Sequence, residues 1–511
     1  MKKTLLTLTA ALMIGICAYA ETSGNTSEKP VSETKEKKQK KNVKYNEKGE
    51  IIKTGINLGP LPVVAFDADR GFQFGALLNI YDFGNGDNYP NPNSQWYIEA
   101  SAYAKDARIG SYKFVLNYDN KTLIPGVRMS ICTGYFKDAA LDFYGFNGYQ
   151  SVYDMGFIRD NLIFDNNKAG QKLENKYIKS GEKLKKIPKG FYRYGRDVVR
   201  LRADFTGEIL KNFYWEAGYN FSWTKTQAFA PKGYTVFPGI NPTETYKGTS
   251  LYQLYRDWGI ISADEADGGF SSGVRLGLMY DSRNVENNPT RGIWAEGHLM
   301  LNPWWLGTTR GHDYYKYCLT MRQYVPIIPE KLTFAYRISY EGTIGKNAPW
   351  YVAPYYTSMG IKPDYDGFGG YRTVRGLMLN RVQGLDVGFY NIEFRYKFVE
   401  FKLWKQNIAF ALSAFTDGAH VFRGYNMEFT PDAQLSLLEK DPVTAPAKAA
   451  LYNDFVHTGK DGKFVDGLHG SAGLGLRFIM NQNFIVAFEG AQCFNKQDGG
   501  FAFYLNTGFL F

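Results

Sequence analysis

Polar and apolar side chains alternate strictly in a segment near residue 390. The polar set is Asn391, Glu393, Arg395 and Lys397, and the set between them is Tyr390, Ile392, Phe394, Tyr396 and Phe398. Successive side chains of a β-strand point to opposite faces, so this segment has one charged face and one aromatic face. A carboxylate facing hydrocarbon costs several kcal/mol, so the charged face must meet water or other charges. The chemistry that this spacing predicts is ion pairing in an enclosed polar space.

Two later segments add charges to the same kind of face. Alternation places Phe415 and Asp417 on one side of a strand and Leu412 on the other. Arg477 lies opposite Leu476 in the same way. The wall formed by the three segments therefore carries charges of both signs.

The sequence does not predict catalytic or metal chemistry. The histidines His298, His312, His420, His457 and His469 show no metal-ligand spacing. No Ser/His/Asp arrangement can be placed by spacing, and no glycine-rich phosphate loop follows a strand and opens a helix. We expect no enzyme activity, no cofactor and no metal, although a site built by spatial clustering on a barrel wall would leave no such spacing.

The elements that position these charges are β-strands. From residue 61 onward the chain alternates in segments of about ten residues, a length that crosses a bilayer as a tilted strand. Phe and Tyr number 37 and 38, as in barrels whose aromatic residues lie at both membrane interfaces. We predict an all-β fold, a 16-stranded antiparallel transmembrane β-barrel over 61–511, with a secreted sandwich or propeller as the alternative. The predicted strands are 61–68, 71–82, 95–106, 110–119, 126–137, 198–210, 213–226, 271–282, 291–302, 312–324, 331–344, 385–398, 407–418, 469–479, 483–494 and 500–511.

Loop lengths support this strand count. If the first strand rises from the periplasm, the long connections all lie outside, at 138–197, 227–270, 345–384 and 419–468. Turns on the other side are short, as at Lys211-Asn212. Long outer loops and short periplasmic turns are typical of outer-membrane barrels.

The chain ends in an apolar strand. Alternation places Phe503, Leu505, Thr507, Phe509 and Phe511 on one side of it. An exposed apolar edge invites aggregation, whereas pairing the last strand with the first leaves no edge. This end resembles the C-terminal assembly signal of outer-membrane barrels, so we expect the barrel-assembly machinery to insert the protein.

The N-terminal residues predict export. Residues 1–20 contain Lys2 and Lys3, an apolar stretch and Ala18-Tyr19-Ala20, which is the pattern of a secretory signal peptide. Residues 21–60 are Lys-rich and polar, and we expect them to form a basic disordered periplasmic tail. Cys132, Cys318 and Cys493 lie far apart in strand-like segments and are expected to be free thiols.

Several motifs occur in a fixed order over 271–511. They are Tyr280-Asp281-Ser282-Arg283 with Pro289-Thr290-Arg291-Gly292, Gly369-Gly370-Tyr371-Arg372-Thr373-Val374-Arg375-Gly376-Leu377, Asn391-Ile392-Glu393-Phe394-Arg395, Phe415-Thr416-Asp417-Gly418-Ala419-His420-Val421 and Gly473-Leu474-Gly475-Leu476-Arg477. In this order they resemble the barrel of the BamA/TamA superfamily, also called the bacterial surface antigen family. That family has sixteen strands and a Val-Arg-Gly loop after strand eleven, which is where the strand count places Arg375.

The resemblance implies that this extracellular loop, the sixth, folds back into the barrel. Arg375 would then pair with Asp417, and leaving Asp417 unpaired would cost about 3–5 kcal/mol. The implied lock between loop and lumen comprises Val374, Arg375, Gly376, Glu393, Phe415, Asp417, Gly418 and Arg477. The alternative is that Arg375 lies on the surface and contacts lipopolysaccharide. The basic stretch Lys168–Arg196 either binds lipopolysaccharide phosphates or is a solvated loop.

Two functions follow. Members of this family carry periplasmic POTRA domains, and residues 21–60 are too short and polar to build one, so substrate would come from a periplasmic partner protein or from the membrane. The first function is assembly or translocation of outer-membrane proteins or lipids at a weak seam, since Pro60 and Pro62 flank a short first strand. The second is a porin-like or structural barrel narrowed by loop 345–384. Either would place the protein in the outer membrane of a Gram-negative bacterium, in contact with membrane lipids and lipopolysaccharide and with no nucleic acid.

Overall fold

Sixteen strands form one closed antiparallel barrel in which each strand pairs with the next along the chain. The computed structural model describes residues 52–67, 71–89, 91–105, 108–155, 162–164, 189–228, 236–238, 250–286, 288–345, 348–353, 355–357, 365–403, 406–459, 463–480, 484–507 and 511. The barrel strands are β1 Ile56–Asp67, β2 Gly71–Asp82, β3 Ser94–Lys105, β4 Arg108–Ile124, β5 Val127–Asp142, β6 Arg193–Leu210, β7 Phe213–Ala228, β8 Gly268–Asp281, β9 Gly292–Asn302, β10 Tyr314–Ile328, β11 Leu332–Ile344, β12 Asp386–Leu403, β13 Gln406–Arg423, β14 His469–Met480, β15 Phe484–Cys493 and β16 Phe501–Thr507.

The predicted strand count and order are confirmed, but β1 differs from expectation. It begins at Ile56 and runs for 12 residues, so part of the predicted tail belongs to the barrel. Pro60 and Pro62 lie inside β1, opposite Leu78 and Ala76 of β2, and do not flank a short strand. The β2 ladder continues through both prolines without a register shift, because each proline removes a donor on only one side of the strand.

The two faces of the wall are as predicted. In β12 and β13, Glu393 and Asp417 are buried in the lumen, whereas Phe394 and Leu412 are exposed on the outer surface. Arg477 of β14 is buried as well. The interior is therefore polar and charged, and the exterior is a belt of apolar and aromatic side chains.

The connections differ sharply between the two ends of the barrel. At one end they are short, as at residues 125–126 and 211–212, and the longest are 83–93 and 282–291. At the other end they include 143–192, 229–267, 345–385 and 424–468. The end with the long connections is taken as the extracellular end.

The long connections pack into a cap at the outer mouth. We define the cap as the described residues of 143–155, 250–267, 348–353 and 424–456. It contains the helices α1 Leu251–Asp257, α2 Pro431–Lys440 and α3 Ala445–Phe455. Its core is aromatic: the ring of Trp350 lies 6.0 Å from that of Phe143 and 5.3 Å from that of Tyr252. None of the described helices is long and apolar enough to span a membrane.

Some predictions fall on residues that the structure does not describe. The signal peptide 1–20, the tail up to residue 51, residues 168–188 of the basic stretch and Phe509 lie outside the described residues. Cys132, Cys318 and Cys493, all within the described residues, form no disulfide, as expected.

Candidate functional site

The connection between β11 and β12 folds into the barrel, as the resemblance implies. We call its described residues 355–357 the first arm, and residues 365–385 the second arm. The arms pair with each other where Tyr355 and Tyr356 lie opposite Asp366 and Tyr365. Tyr356, Val374 and Arg375 are fully buried. The loop is therefore packed inside the lumen and not spread on the surface.

Glycines with positive φ angles allow the second arm to reverse direction within a few residues. Gly369 and Gly370 have φ angles of +117° and +76°, and Gly376 has +92°, values that L-residues with a side chain rarely adopt. The amide of Gly370 donates to the carbonyl of Leu377 at 2.9 Å. This reversal presents residues 372–376 to the barrel wall.

Arg375 contacts Asp417 of β13 through three hydrogen bonds. Its backbone amide and its Nε donate to Oδ2 at 3.0 and 2.8 Å, and its Nη2 donates to Oδ1 at 3.0 Å. The guanidinium carbon lies 3.4 Å from the ring centroid of Phe415, which adds a cation–π contact. The predicted pair is present, and the alternative of a surface Arg375 does not hold.

A balanced cluster of charges surrounds this pair. Arg375 Nη1 lies 3.2 Å from Glu393 Oε2 and 2.8 Å from Glu489 Oε1. Arg477 bridges the same two glutamates, at 2.8 Å from Glu489 and closer still to Glu393. Arg395 Nε lies 3.3 Å from Glu393, so three guanidinium groups meet three carboxylates. A buried charge is tolerated only when paired, and here the charges sum to zero.

Backbone contacts tie the second arm to further strands. Arg337 of β11 donates to the carbonyl of Arg372 at 3.2 Å, and Asn391 Nδ2 donates to that of Thr373 at 2.7 Å. The hydroxyl of Ser471 donates to the carbonyl of Arg375. These contacts anchor the arm to strands β11, β12 and β14.

One contact reaches the last strand of the barrel. The amide of Gly376 donates to the hydroxyl of Tyr504 in β16 at 3.0 Å. The rings of Tyr371 and Tyr504 lie 6.1 Å apart. The tip of the loop is therefore bonded to one of the two strands that close the barrel.

The first arm occupies the opposite side of the lumen. Tyr355 Oη lies 3.1 Å from Arg196 Nη1 of β6, and Tyr356 Oη lies 2.8 Å from Thr320 of β10. Thr357 Oγ1 lies 2.7 Å from His298 Nε2 of β9. The two arms together reach from β6 to β16.

A second charged cluster holds the loop at the outer mouth. Arg381 of the second arm lies 3.4 Å from Asp498 in the turn before β16 and donates to the carbonyl of Gly148 at 2.9 Å. His469 Nδ1 lies 2.7 Å from Asp498, and its Nε2 lies 3.1 Å from Asp466. The cap, the loop and β14 are thus joined by buried charges.

Two sequence predictions need correction. Gly418 does not belong to the lock, because it lies on the outer face of β13, where a Cβ would be 2.5 Å from Cε1 of Tyr390. Phe511 does not continue the outer face of β16, since it is 2% exposed. Its main-chain oxygen accepts from Arg395 at 3.1 Å, and its ring lies 5.2 Å from the guanidinium of Arg337. These contacts hold the residue in the lumen.

Val374, Phe503 and Leu505 have the expected placement. Val374 is buried in an apolar cluster with Phe368 and Val382. Phe503 is exposed and Leu505 is half-buried, as members of the outer face of β16. Thr507 ends that strand.

Sequence reasoning missed several residues of the site, and two of them, Glu489 and Tyr504, left a signal in the sequence. Glu489 is the lone carboxylate of β15, and the argument that excluded Glu393 from lipid would have placed it in the lumen. Tyr504 shares the inner face of β16 with Ala502, and its polar hydroxyl among apolar neighbours was a signal for a buried partner.

A family model and several solved structures match this chain. The Omp85 superfamily domain matches residues 143–511. The chain is similar to BamA from Haemophilus ducreyi, at 14% identity over 89% of this chain and 71% of that chain, with a TM-score of 0.47. It is also similar to CdiB from Escherichia coli, at 8% identity over 89% of this chain and 62% of that chain, with a TM-score of 0.47. For CdiB from Acinetobacter baumannii the identity is 10%, the coverage 90% of this chain and 61% of that chain, and the TM-score 0.43. The chain spans less than two thirds of either CdiB, and no curated protein matches it.

Proposed function

Because the chain belongs to the Omp85 superfamily, we propose that it assists the assembly or translocation of outer-membrane proteins or lipids at the seam between β1 and β16. The proposal includes a location in the outer membrane of a Gram-negative bacterium and a role without enzyme catalysis. The observation that carries it is the filled lumen, in which Arg375 is buried among charges of the opposite sign. A barrel whose central axis is plugged is better suited to act on a client at its wall than to conduct solutes through its centre.

The composition of β1 supports a seam that opens. Phe66 lies opposite Leu505 of β16 in the described residues, and Thr507 would then lie opposite Val64. Pro60 and Pro62 each lack an amide donor, and their ladder with β2 is unbroken. We infer that the missing donors are those on the side facing away from β2, where prolines are tolerated in strands.

The contacts of Tyr504 support a link between the loop and this seam. Its hydroxyl accepts from Gly376, and Gly376 follows the residue that holds the central charge cluster. A change in the position of the loop would therefore displace β16 through this hydrogen bond. We propose that the loop biases the seam toward its closed state until a client strand or lipid arrives from the membrane or a periplasmic partner.

The experiment is a client-insertion assay in liposomes. The protein is reconstituted, an unfolded porin is added, and its folding is followed by protease protection. We expect faster folding than in empty liposomes. Absence of any acceleration by the wild type would overturn the proposal.

Engineered disulfides locate the activity, in a background with Cys132, Cys318 and Cys493 replaced by Ser. Phe66→Cys with Leu505→Cys would tie β1 to β16, since these residues are directly opposed. Phe488→Cys with Leu505→Cys ties the same residue of β16 to β15 and is the matched control. We expect oxidation to abolish acceleration only in the first variant, and reductant to restore it. Equal activity of both oxidised variants would exclude the seam.

The porin-like alternative is not favoured by any described feature of the lumen. It requires a continuous aqueous path, whereas both arms of the loop pack against the wall. A conductance measurement distinguishes the two functions.

A further inference from the structure

Two adjacent tryptophans are exposed in the short outer turn between β9 and β10. Trp304 is 56% exposed and Trp305 is 68% exposed. They begin a short 3-10 turn, Trp304–Leu306, that ends at Gly307 with a φ of +107°. Tryptophan rarely remains this exposed to water, and it is enriched where one side of the ring meets lipid and the other meets water.

The turn lies against the lipid-facing side of the barrel. Ser272 of β8 is on the outer face, since Ser271 and Arg275 point into the lumen and Leu276 is exposed. Ser272 is nevertheless buried, because the turn covers it. Its hydroxyl donates to the carbonyl of Leu306 in the turn at 2.6 Å and lies 2.8 Å from Tyr219 Oη. The two tryptophans are thus held beside the outer ends of β7 and β8.

An aromatic row continues the turn around the barrel. Tyr135, Val199, Trp223 and Phe270 are successive cross-strand neighbours on β5, β6, β7 and β8. Phe270 is exposed, and Trp223 and Tyr135 are half-buried. This row is continuous with the apolar belt on the membrane side, so its side chains contact lipid.

Charged side chains lie in the next row toward the outside. Lys137, Asp197 and Lys225 are cross-strand neighbours, and Lys225 is exposed. Arg310 lies 5.8 Å from the ring of Trp304. The carboxylates nearby include Asp197 and Asp313, which accepts from the amide of Trp304. Asp264 lies 3.7 Å from His312 of the same turn, and Asp267 lies 3.4 Å from Arg256. Lys137, Lys225 and Arg310 therefore stand among carboxylates above the aromatic row, on one sector of the outer rim.

We propose that this sector, formed by Trp304, Trp305, Arg310, Lys225 and Lys137, binds lipopolysaccharide. Its chemistry fits a phosphorylated glycolipid: acyl chains pack on the apolar belt, the tryptophans lie at the sugar level, and the cations bind phosphate. Arg presents a planar fork of donors to phosphate. The site rests on the proposed outer-membrane orientation but not on the seam activity.

Photo-crosslinking of the full chain in lipopolysaccharide-containing vesicles tests the proposal. A photoreactive benzoylphenylalanine is placed at Trp305 and, as the control, at Phe422. Phe422 is 61% exposed, and the adjacent Arg423 is engaged with Asp386 at 2.7 Å. We expect a strong lipopolysaccharide adduct at position 305. Arg310→Ala and Lys225→Ala should each lower the adduct yield about fivefold, because each cation near an anionic membrane surface contributes about 1 kcal/mol.

The control separates specific binding from mere proximity. The adduct at 422 should be weaker and should not respond to these two substitutions. Vesicles with anionic phospholipid in place of lipopolysaccharide should give little adduct at 305. Equal adducts at both positions, an adduct at 305 insensitive to charge, or preference for phospholipid would each overturn the proposal.

Discussion

Arg375 is the loop residue at the centre of the buried charge cluster. It bonds to Asp417, approaches Glu393 and Glu489, and packs on the ring of Phe415. Its own charge is needed to balance the cluster. A single substitution therefore leaves an uncompensated charge in a buried site, which is costlier than losing the pair as a whole.

Substitutions at Arg375 and Asp417 should be strongly coupled. We expect Arg375→Ala and Asp417→Ala each to lower stability by about 3–5 kcal/mol, and the double variant to be little worse than either. Thermal unfolding in detergent measures this. Additive losses would show that the two residues do not act as a unit.

A surface pair supplies the matched control for this cycle. Arg256 lies 3.4 Å from Asp267, which is largely exposed. Exposed ion pairs contribute about 0–1 kcal/mol, so Arg256→Ala should leave the unfolding temperature nearly unchanged.

Gly376 is constrained by both conformation and space. Its φ is +92°, and a Cβ would lie 3.0 Å from Cβ of Ser471 and 3.2 Å from Cβ of Ala491. Gly345 has a similar φ of +90° with nothing within 4 Å. Gly376→Ala should therefore destabilise the protein more than Gly345→Ala, as measured by thermal unfolding and protease sensitivity of the loop. Equal losses would show that only the backbone angle matters.

Among the elements, the strands were predictable and the loops were not. Alternation in β12 assigns Glu393 and Phe394 to opposite faces without any knowledge of the neighbours. The inward course of Phe511 depends on Arg337 and Arg395, which belong to strands distant in sequence. The Arg375–Asp417 contact was reached through resemblance, because spacing alone does not bring a loop to a strand.

The periplasmic turn between β8 and β9 is a second element held by charge. Glu286 lies 2.9 Å from Lys121 of β4 and 3.4 Å from Arg128 of β5. The turn therefore reaches beneath the barrel to strands that are not its neighbours. Burial raises the pKa of Glu286, but Arg128 and Lys121 outweigh it and lower the pKa to about 2.

We call the ion pairs of Glu286 with Lys121 and Arg128 the clamp, and it should weaken in acid. A carboxyl group with a lowered folded-state pKa stabilises the fold above its ordinary pKa and loses that contribution as the pH falls. For Glu286 this loss of stability should occur as the pH falls from about 4.5 to about 2. The unfolding temperature of Glu286→Gln should lie below that of wild type at neutral pH, and the gap should close across this window.

A surface carboxylate provides the comparison for the clamp. Glu400 is 57% exposed and lies 2.5 Å from Lys397. Glu400→Gln should match wild type at every pH, because exposed pairs contribute little. A pH-independent gap for Glu286→Gln would refute the clamp.

At the scale of the whole molecule, the barrel is closed along its axis by successive layers. The cap covers the outer mouth with an aromatic core, the two arms fill the lumen, and the turn at Glu286 reaches across part of the inner opening. Buried charges hold each layer to the wall at separate places. The wall itself, with β16 bonded to the loop, is the part of the molecule that faces the membrane.

Conductance of the full chain in planar bilayers tests this closure most directly. We predict no steady current through wild type, brief openings in Arg375→Ala, and a stable pore after deletion of residues 355–384, with Arg256→Ala behaving as wild type. A steady ohmic current through wild type, unchanged by Arg375→Ala, would contradict a lumen closed by the inward loop.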